Sequence, residues 1–177
     1  MSTAAILKAA LFAAEKHKNQ RRKDADASPY INHPLALASV LSLEGCVEDS
    51  DVLCAALLHD TIEDTNTTAE DLAETFGAKV AAIVLEVTDD KSLDKAVRKE
   101  EQVKHAPHIS REAKLVKLAD KICNLRDILS TPPADWTAER KTAYFDWAAR
   151  VVAGLRGVNP SLEATFDDLL ARQSELL

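Results

Sequence analysis

The chain has 177 residues, 46% of them hydrophobic, and a formal net charge of −7. That is length enough for one sizeable core and too much apolar content for a disordered chain. The acidic balance argues against general nucleic-acid affinity, so a polyanionic ligand must be held by a local positive cluster or by a metal.

Only 4 Gly and 6 Pro, with abundant Ala, Leu, Lys and Glu, predict an all-α chain, here a single bundle of about eight helices spanning residues 1–177. The opening Met1-Ser2-Thr3-Ala4-Ala5-Ile6-Leu7-Lys8 lacks the charged start, long apolar stretch and cleavage site of a signal peptide. No run approaches the ~18 apolar residues that span a membrane. Cys46, Cys54 and Cys123 are odd in number and form no C-x-x-C, which suits a reducing compartment. The expected location is the cytoplasm, with no membrane partner.

In chain order, Ile6, Leu7, Ala10, Leu11 and Ala14 predict a helix over Thr3 to Asn19, with His17 exposed among basic residues. A polar loop runs from Gln20 to Ile31. Asn32 is expected to cap a second helix, Pro34 fits its first turn, and Gly45 stops it. A third helix covers Ser50 to Asp60. Thr67-x-x-Glu70 has the spacing of a capping box for a helix ending at Gly77, and another follows from Ala78 to Val87. Ser92 to Ala106 reads as a charged surface helix. Leu115, Leu118, Ala119, Ile122, Leu125 and Leu129 share one face of a long helix from Glu112. Thr131-Pro132-Pro133 breaks the chain, Thr137 caps a helix reaching about Gly154, and Asn159-Pro160 opens the last one.

The chemistry concentrates in His33, His59-Asp60 and Asp120. Ala55 to Leu58 is apolar, and His59-Asp60-Thr61-Ile62-Glu63-Asp64 follows at once. Burying such groups without a partner is costly, and a divalent metal removes that cost. His59 and Asp60 lie about 100° apart on a helix. Both reach one ion only if other elements complete its shell, and His33 and Asp120 are the best suppliers. Lys117, Asp120 and Asn124 form one polar stripe at helical spacing. His105-x-x-His108 has metal-like spacing, but Pro107 interrupts it and no further ligand is near.

The ordered set of His, then His-Asp, then Asp on separate helices resembles the HD superfamily of metal-dependent phosphohydrolases. Longer strings are more specific. Arg21-Arg22-Lys23-Asp24, Pro29-Tyr30-Ile31-Asn32-His33-Pro34, Leu57-Leu58-His59-Asp60-Thr61-Ile62-Glu63-Asp64, Glu86-Val87-Thr88-Asp89-Asp90-Lys91 and Lys114-Leu115-Val116-Lys117-Leu118-Ala119-Asp120-Lys121-x-x-Asn124-Leu125-Arg126 are similar to the hydrolase domain of the RelA/SpoT family. The tail around Trp136 and Tyr144-Phe145-x-Trp147-Ala148 resembles its stand-alone members, the small alarmone hydrolases, metazoan ones included.

That resemblance implies removal of pyrophosphate from the 3′ position of guanosine tetra- and pentaphosphate, usually with Mn²⁺. It implies His33, His59, Asp60 and Asp120 as metal ligands, and it links Glu63 and Asp64 to hydrolysis, through the attacking water or the leaving 3′ oxygen. Arg22 becomes a candidate for base stacking, Lys23 for phosphate contact, and Tyr30 and Asn124 for holding the nucleoside. Arg140 and Tyr144 match positions lining the substrate site. No synthetase region or regulatory tail follows, so the expectation is a protein that degrades alarmone without making it. Two alternatives stand beside this one: an HD phosphatase acting on NADPH, by 2′-phosphate removal, or on another nucleotide, and a nucleotide-sensing HD module without turnover.

Overall fold

Ser50–Leu58 has almost no polar face to turn toward water, and a helix apolar all round belongs inside. The computed structural model describes residues 3–176; Met1, Ser2 and Leu177 lie outside, so the N-terminal segment is seen from Thr3 onward. Eight of the nine residues of Ser50–Leu58 are buried.

Around it the chain forms α1 (Thr3–Lys16), α2 (Asn32–Ser39), α3 (Ser50–Leu58 itself), α4 (Thr61–Asp64), α5 (Ala69–Phe76), α6 (Ala78–Val87), α7 (Lys95–His105), α8 (Arg111–Ser130), α9 (Ala138–Ala153) and α10 (Pro160–Ala171). A π-helical turn, Val40–Glu44, extends α2, and a 3₁₀ turn, Arg172–Leu176, follows α10. Among the described residues the only β feature is an isolated bridge between Arg21 and Pro29. The all-α class is as expected. Ten α-helices are described where the chain-order reading lays out nine, because α4 is a separate single turn.

Two helices organise the core. α3 packs against α1, α2, α6 and α8, and α8 in turn packs against α2, α6, α9 and α10. α1 buries Ala9 and Ala13 completely, small side chains that admit a close neighbour. α8 buries Leu115, Leu118, Ala119, Ile122 and Leu125, while Leu129 at its end is half-buried. No described helix is long and apolar enough to cross a membrane. α7 buries none of its residues, as its charge pattern predicts.

Several local expectations shift. Asn32 is the first helical residue, not the cap; Ile31 stands at the N-cap without a side-chain bond. The capping box is Thr68 with Asp71, one residue later than the expected Thr67 with Glu70, because the Thr67 hydroxyl already pairs with Thr65. Gly45 has a helical φ of −88°. Its need for glycine is crowding, since a Cβ there would meet Leu162 Cδ1 and the Leu41 carbonyl oxygen at 2.8 Å. His17 is not exposed but 2% accessible, because the polar loop folds Tyr30 over its ring at a centroid distance of 4.9 Å. Thr137 and Asn159 do cap their helices, accepting from Arg140 N and Leu162 N.

Candidate active site

The expected third helix ends early, and that break builds the site. The Thr61 hydroxyl donates to the Leu58 carbonyl at 2.7 Å, and α4 restarts with Asp64 N bonded to Asp60 O. His59 caps α3 and Asp60 precedes α4 at φ −99°, ψ 0°, in the bridge region. The pair therefore leaves the core at a corner and does not continue around one helix. α2 brings His33 beside it, with the two imidazole centroids 5.3 Å apart. Ligand atoms of His33, His59 and Asp60 all lie within 4.8 Å of one another.

The donor chemistry fits a divalent ion. His59 Nδ1 donates to the Ala56 carbonyl at 2.8 Å, which fixes the ring and turns Nε2 toward Asp60 Oδ2, 2.8 Å away. That Nε2 is buried without a hydrogen-bond partner, as is His33 Nδ1. Burial disfavours a charged His59, yet the Asp60 carboxylate outweighs it and pushes the imidazole up to about 9. The corner thus favours positive charge at Nε2, whether a proton or a metal ion. Burial likewise opposes ionisation of Asp60 and Asp120, but His59 and Lys121 respectively hold both carboxyls below the usual range. Asp120 stands beside this group: Oδ1 is 3.2 Å from His33 Nε2 and accepts from Asn124 at 2.8 Å, and Oδ2 accepts from Lys121 at 3.0 Å.

Two cavities meet here. The larger, about 630 Å³, is lined by Arg22, Lys23, Tyr30, Asn124 and Tyr144 among others, and Trp136 closes one side. The smaller, about 220 Å³, holds His33, His59, Asp60, Asp120 and Glu63. Arg22, Tyr30, His33 and Asn124 belong to both. Arg22 is pinned by an ion pair with Asp127, and the Tyr30 hydroxyl donates to Asp60. Burial, then Asp60, raise the Tyr30 pKa far above the phenol range, so it remains a donor. Arg140 does not reach the large cavity. Its guanidinium stacks on Trp136 at 4.4 Å and faces a third cavity with Lys95, Lys99 and Tyr144.

Glu63 projects into the small cavity, where Oε2 accepts from Asp89 N at 3.2 Å. Burial, reinforced by Asp89, raises its pKa, which favours the protonated form. Asp64 lines the large cavity and is held between Gln20 Nε2, at 2.9 Å, and Lys91. His105 is exposed and, among the described residues, its side chain pairs only with Glu101 at 3.4 Å.

Gln20, Asp127 and Gln102 line the cavities without being among the residues expected there. Asp127 follows Asp120 by seven residues on α8, a spacing that returns to the same helix face, and this signal could have found it. Gln20 and Gln102 offer no such pattern; only folding brings them to the cavities.

Fold and site define a class, an all-helical protein that assembles a His-His-Asp corner for a divalent ion from separate helices. The HD domain model matches residues 9–153. The chain is 57% identical over 168 residues to guanosine-3′,5′-bis(diphosphate) 3′-pyrophosphohydrolase MESH1 of Danio rerio, covering 95% of this chain and 93% of that protein. It is 52% identical to the MESH1 of Homo sapiens over 170 residues, covering 96% and 95%. It superposes with a TM-score of 0.94 and 47% identity on a solved metazoan orthologue of SpoT reported to hydrolyse ppGpp, covering 100% of this chain and 99% of that one. The chain belongs to the HD-domain family, in its MESH1 group.

Proposed function

We propose that this chain, acting as one domain over residues 1–177, is a Mn²⁺-dependent hydrolase that converts guanosine tetra- and pentaphosphate to GDP or GTP and intact pyrophosphate. One observation carries the reading: the donors of His33, His59 and Asp60 gather within 4.8 Å where a nucleotide-sized cavity opens into a smaller one. The MESH1 relatives bear that activity in their names.

His33, His59, Asp60 and Asp120 would hold the ion, and their mixed nitrogen and oxygen donors suit Mn²⁺. When bound, a divalent ion supplies a nucleophile at neutral pH and neutralises phosphoryl oxygens. The other residues position and transfer protons. Arg22, braced by Asp127, stacks on the base, and Lys23 meets phosphate. Tyr30 and Asn124 hold the nucleoside at the junction of the cavities, while Tyr144 and Arg140 extend the substrate site toward the third cavity. This anchoring sets the phosphorus on the 3′ oxygen, not the outer one, against the His-Asp corner. Positioning of this kind lowers a barrier by roughly 7–11 kcal/mol in favourable cases. Glu63, with its raised pKa, protonates the departing 3′ oxygen, and Asp64, held by Gln20 and Lys91, orients the water. Three free thiols are in keeping with a reducing cytoplasm.

Mn²⁺-loaded protein incubated in parallel with guanosine tetraphosphate, guanosine pentaphosphate and NADPH tests this, with products separated by anion exchange. GDP or GTP and pyrophosphate are expected. Orthophosphate with a guanosine 3′-monophosphate product would mean that the wrong phosphorus is attacked. Binding without turnover of any of the three would leave a sensor.

A further inference from the structure

A buried ammonium with one neutral acceptor is costly, and Lys117 is such a group. The residue is 7% exposed, and Nζ donates to the Val87 carbonyl at 3.2 Å, at the end of α6. An ammonium has three donors. Among the described residues Lys117 forms no ion pair and no second hydrogen bond. Lys121, one turn along the same helix, is satisfied very differently, at 3.0 Å from Asp120 Oδ2 and 4.3 Å from the centre of the Trp147 ring. Burial, and then Lys121, hold the Lys117 pKa below the ordinary lysine range, which reflects the same cost.

α8 acts as a ruler for where this ammonium sits. Asn124 lies at the junction of the large and small cavities, and Asp120 lies a turn earlier beside the metal donors. Lys117 comes three residues before Asp120, about 4.5 Å further along the axis, and lines the small cavity but not the large one. Besides Lys117, Arg22 at the mouth and the metal-donor imidazoles of His33 and His59, the charged lining of that cavity is acidic, with Asp60, Glu63, Asp89 and Asp120 in its wall. The outer phosphate of a diphosphate whose inner phosphate meets the metal donors extends past them, to the end where Lys117 supplies positive charge.

We infer that Lys117 is a specificity-determining residue whose ammonium grips the outer phosphate of a 3′-diphosphate, making the small cavity a diphosphate site. This rests on the reading of the chain as a 3′-pyrophosphohydrolase. In the step, a water oxygen bonds to the phosphorus on the 3′ oxygen, the bond from that phosphorus to the 3′ oxygen breaks, and the 3′ oxygen takes a proton. The pyrophosphate leaves with its P–O–P bridge intact and its charge against Lys117. Nothing is oxidised or reduced.

The test uses the full Mn²⁺-loaded chain and K117M, which fills a similar volume without a buried charge and so folds with an unchanged or raised Tm. At fixed free Mn²⁺, kcat/KM for guanosine tetraphosphate should fall about 10²-fold. Inhibition by inorganic pyrophosphate should weaken about tenfold or more, the loss of one charged contact. Inhibition by orthophosphate and by guanosine 5′-diphosphate 3′-monophosphate, which lack the outer phosphate, should not move. K117R, which keeps the charge, should recover part of the pyrophosphate inhibition. Equal weakening of all inhibitors by K117M, or no weakening of any, overturns the assignment. Should K117M not fold, wild-type protein still decides: pyrophosphate must inhibit more tightly than orthophosphate, and equal inhibition overturns the assignment. A wild-type protein that leaves guanosine tetraphosphate intact fails the parent reading first, which separates the two failures.

Discussion

The two cavities that meet at Tyr30 and His33 are built in opposite ways. The walls of the larger come mainly from connecting segments, with Gln20 to Ser28 on one side and Thr131 to Trp136 on the other, and its Lys23 is exposed. The walls of the smaller come mainly from helices and helix ends, and the His33, His59, Asp60 and Asp120 side chains are only 4%, 7%, 19% and 19% exposed. Groups on packed helices hold fixed geometry, whereas groups on loops can adjust to a ligand. The contrast teaches where each task belongs. On the proposed reading, bond-breaking geometry is set against the core, and recognition of the nucleoside is left to connecting segments. If so, damage to the small cavity should appear in kcat and in metal affinity, and damage to the large one in KM.

The largest effects should fall in the small cavity and divide there. Asp60→Ala should abolish turnover and weaken Mn²⁺ binding, because a donor is gone. Glu63→Gln should lower kcat by about 10²–10⁴-fold, the usual worth of a positioned acid or base, while Mn²⁺ affinity stays as in wild type. Titration calorimetry with Mn²⁺ beside steady-state kinetics decides it. Equal metal loss in both variants would make Glu63 a ligand and dissolve the division.

The pH profile sharpens the same point. Burial and the nearby Asp89 raise the Glu63 pKa, so its protonated form persists above the ordinary range for a glutamic acid. An acid must be protonated to act, so kcat should fall as pH rises through that raised value. Asp89→Asn removes a neighbouring negative charge and should move the limb to lower pH. A limb that stays in place in Asp89→Asn would show that another group titrates there.

The small cavity was far more legible in the sequence than the large one, and the reason is physical. An apolar helix that runs straight into His59-Asp60 announces a buried polar end, and Asp120 stands out against the apolar repeat of α8. The corner between α3 and α4 was not visible, because the Thr61 hydroxyl bond to the Leu58 carbonyl that makes it carries no distinctive pattern. The large cavity depends on pairings across the chain, Arg22 with Asp127 and Gln20 with Asp64, separated by 105 and 44 residues. Periodicity reports neighbours along one element and is silent about such pairs. His17 shows the same limit: its basic sequence neighbours predict exposure, but the loop laid over it by Tyr30 buries it.

In the large cavity, Arg22→Ala should raise KM about tenfold and change kcat less, since stacking on the base is made in ground and transition states alike. Asp127→Asn should do the same more weakly, because it frees the Arg22 guanidinium without removing it. Initial-rate measurements over a range of guanosine tetraphosphate concentrations test both. A pure kcat effect from Arg22→Ala would assign that residue to transition-state charge and erase the distinction between the cavities.

The smallest effect belongs to a helix end that lines none of these cavities. Thr68 and Asp71 form the reciprocal cap of α5, with Asp71 N bonded to Thr68 Oγ1 at 3.1 Å and Thr68 N to Asp71 Oδ2 at 2.9 Å. Thr68→Ala should cost about 1 kcal/mol, a drop in Tm of roughly 2–4 °C for a chain of this size, with kcat and KM unmoved. Asp71 adds a pH signature. The bond from Thr68 N holds its carboxyl below the usual range in the folded chain. A carboxyl depressed on folding adds stability that is fully present above its unfolded pKa and is lost as pH falls through the folded one. The Tm gap between wild type and Asp71→Asn should therefore be open near neutral pH and close in acid. A gap that persists there would mean that Asp71 acts through shape and not charge. A change in kcat from Thr68→Ala would mean that the site feels the cap of α5, and that its helices are less rigidly held than the comparison of the two cavities requires.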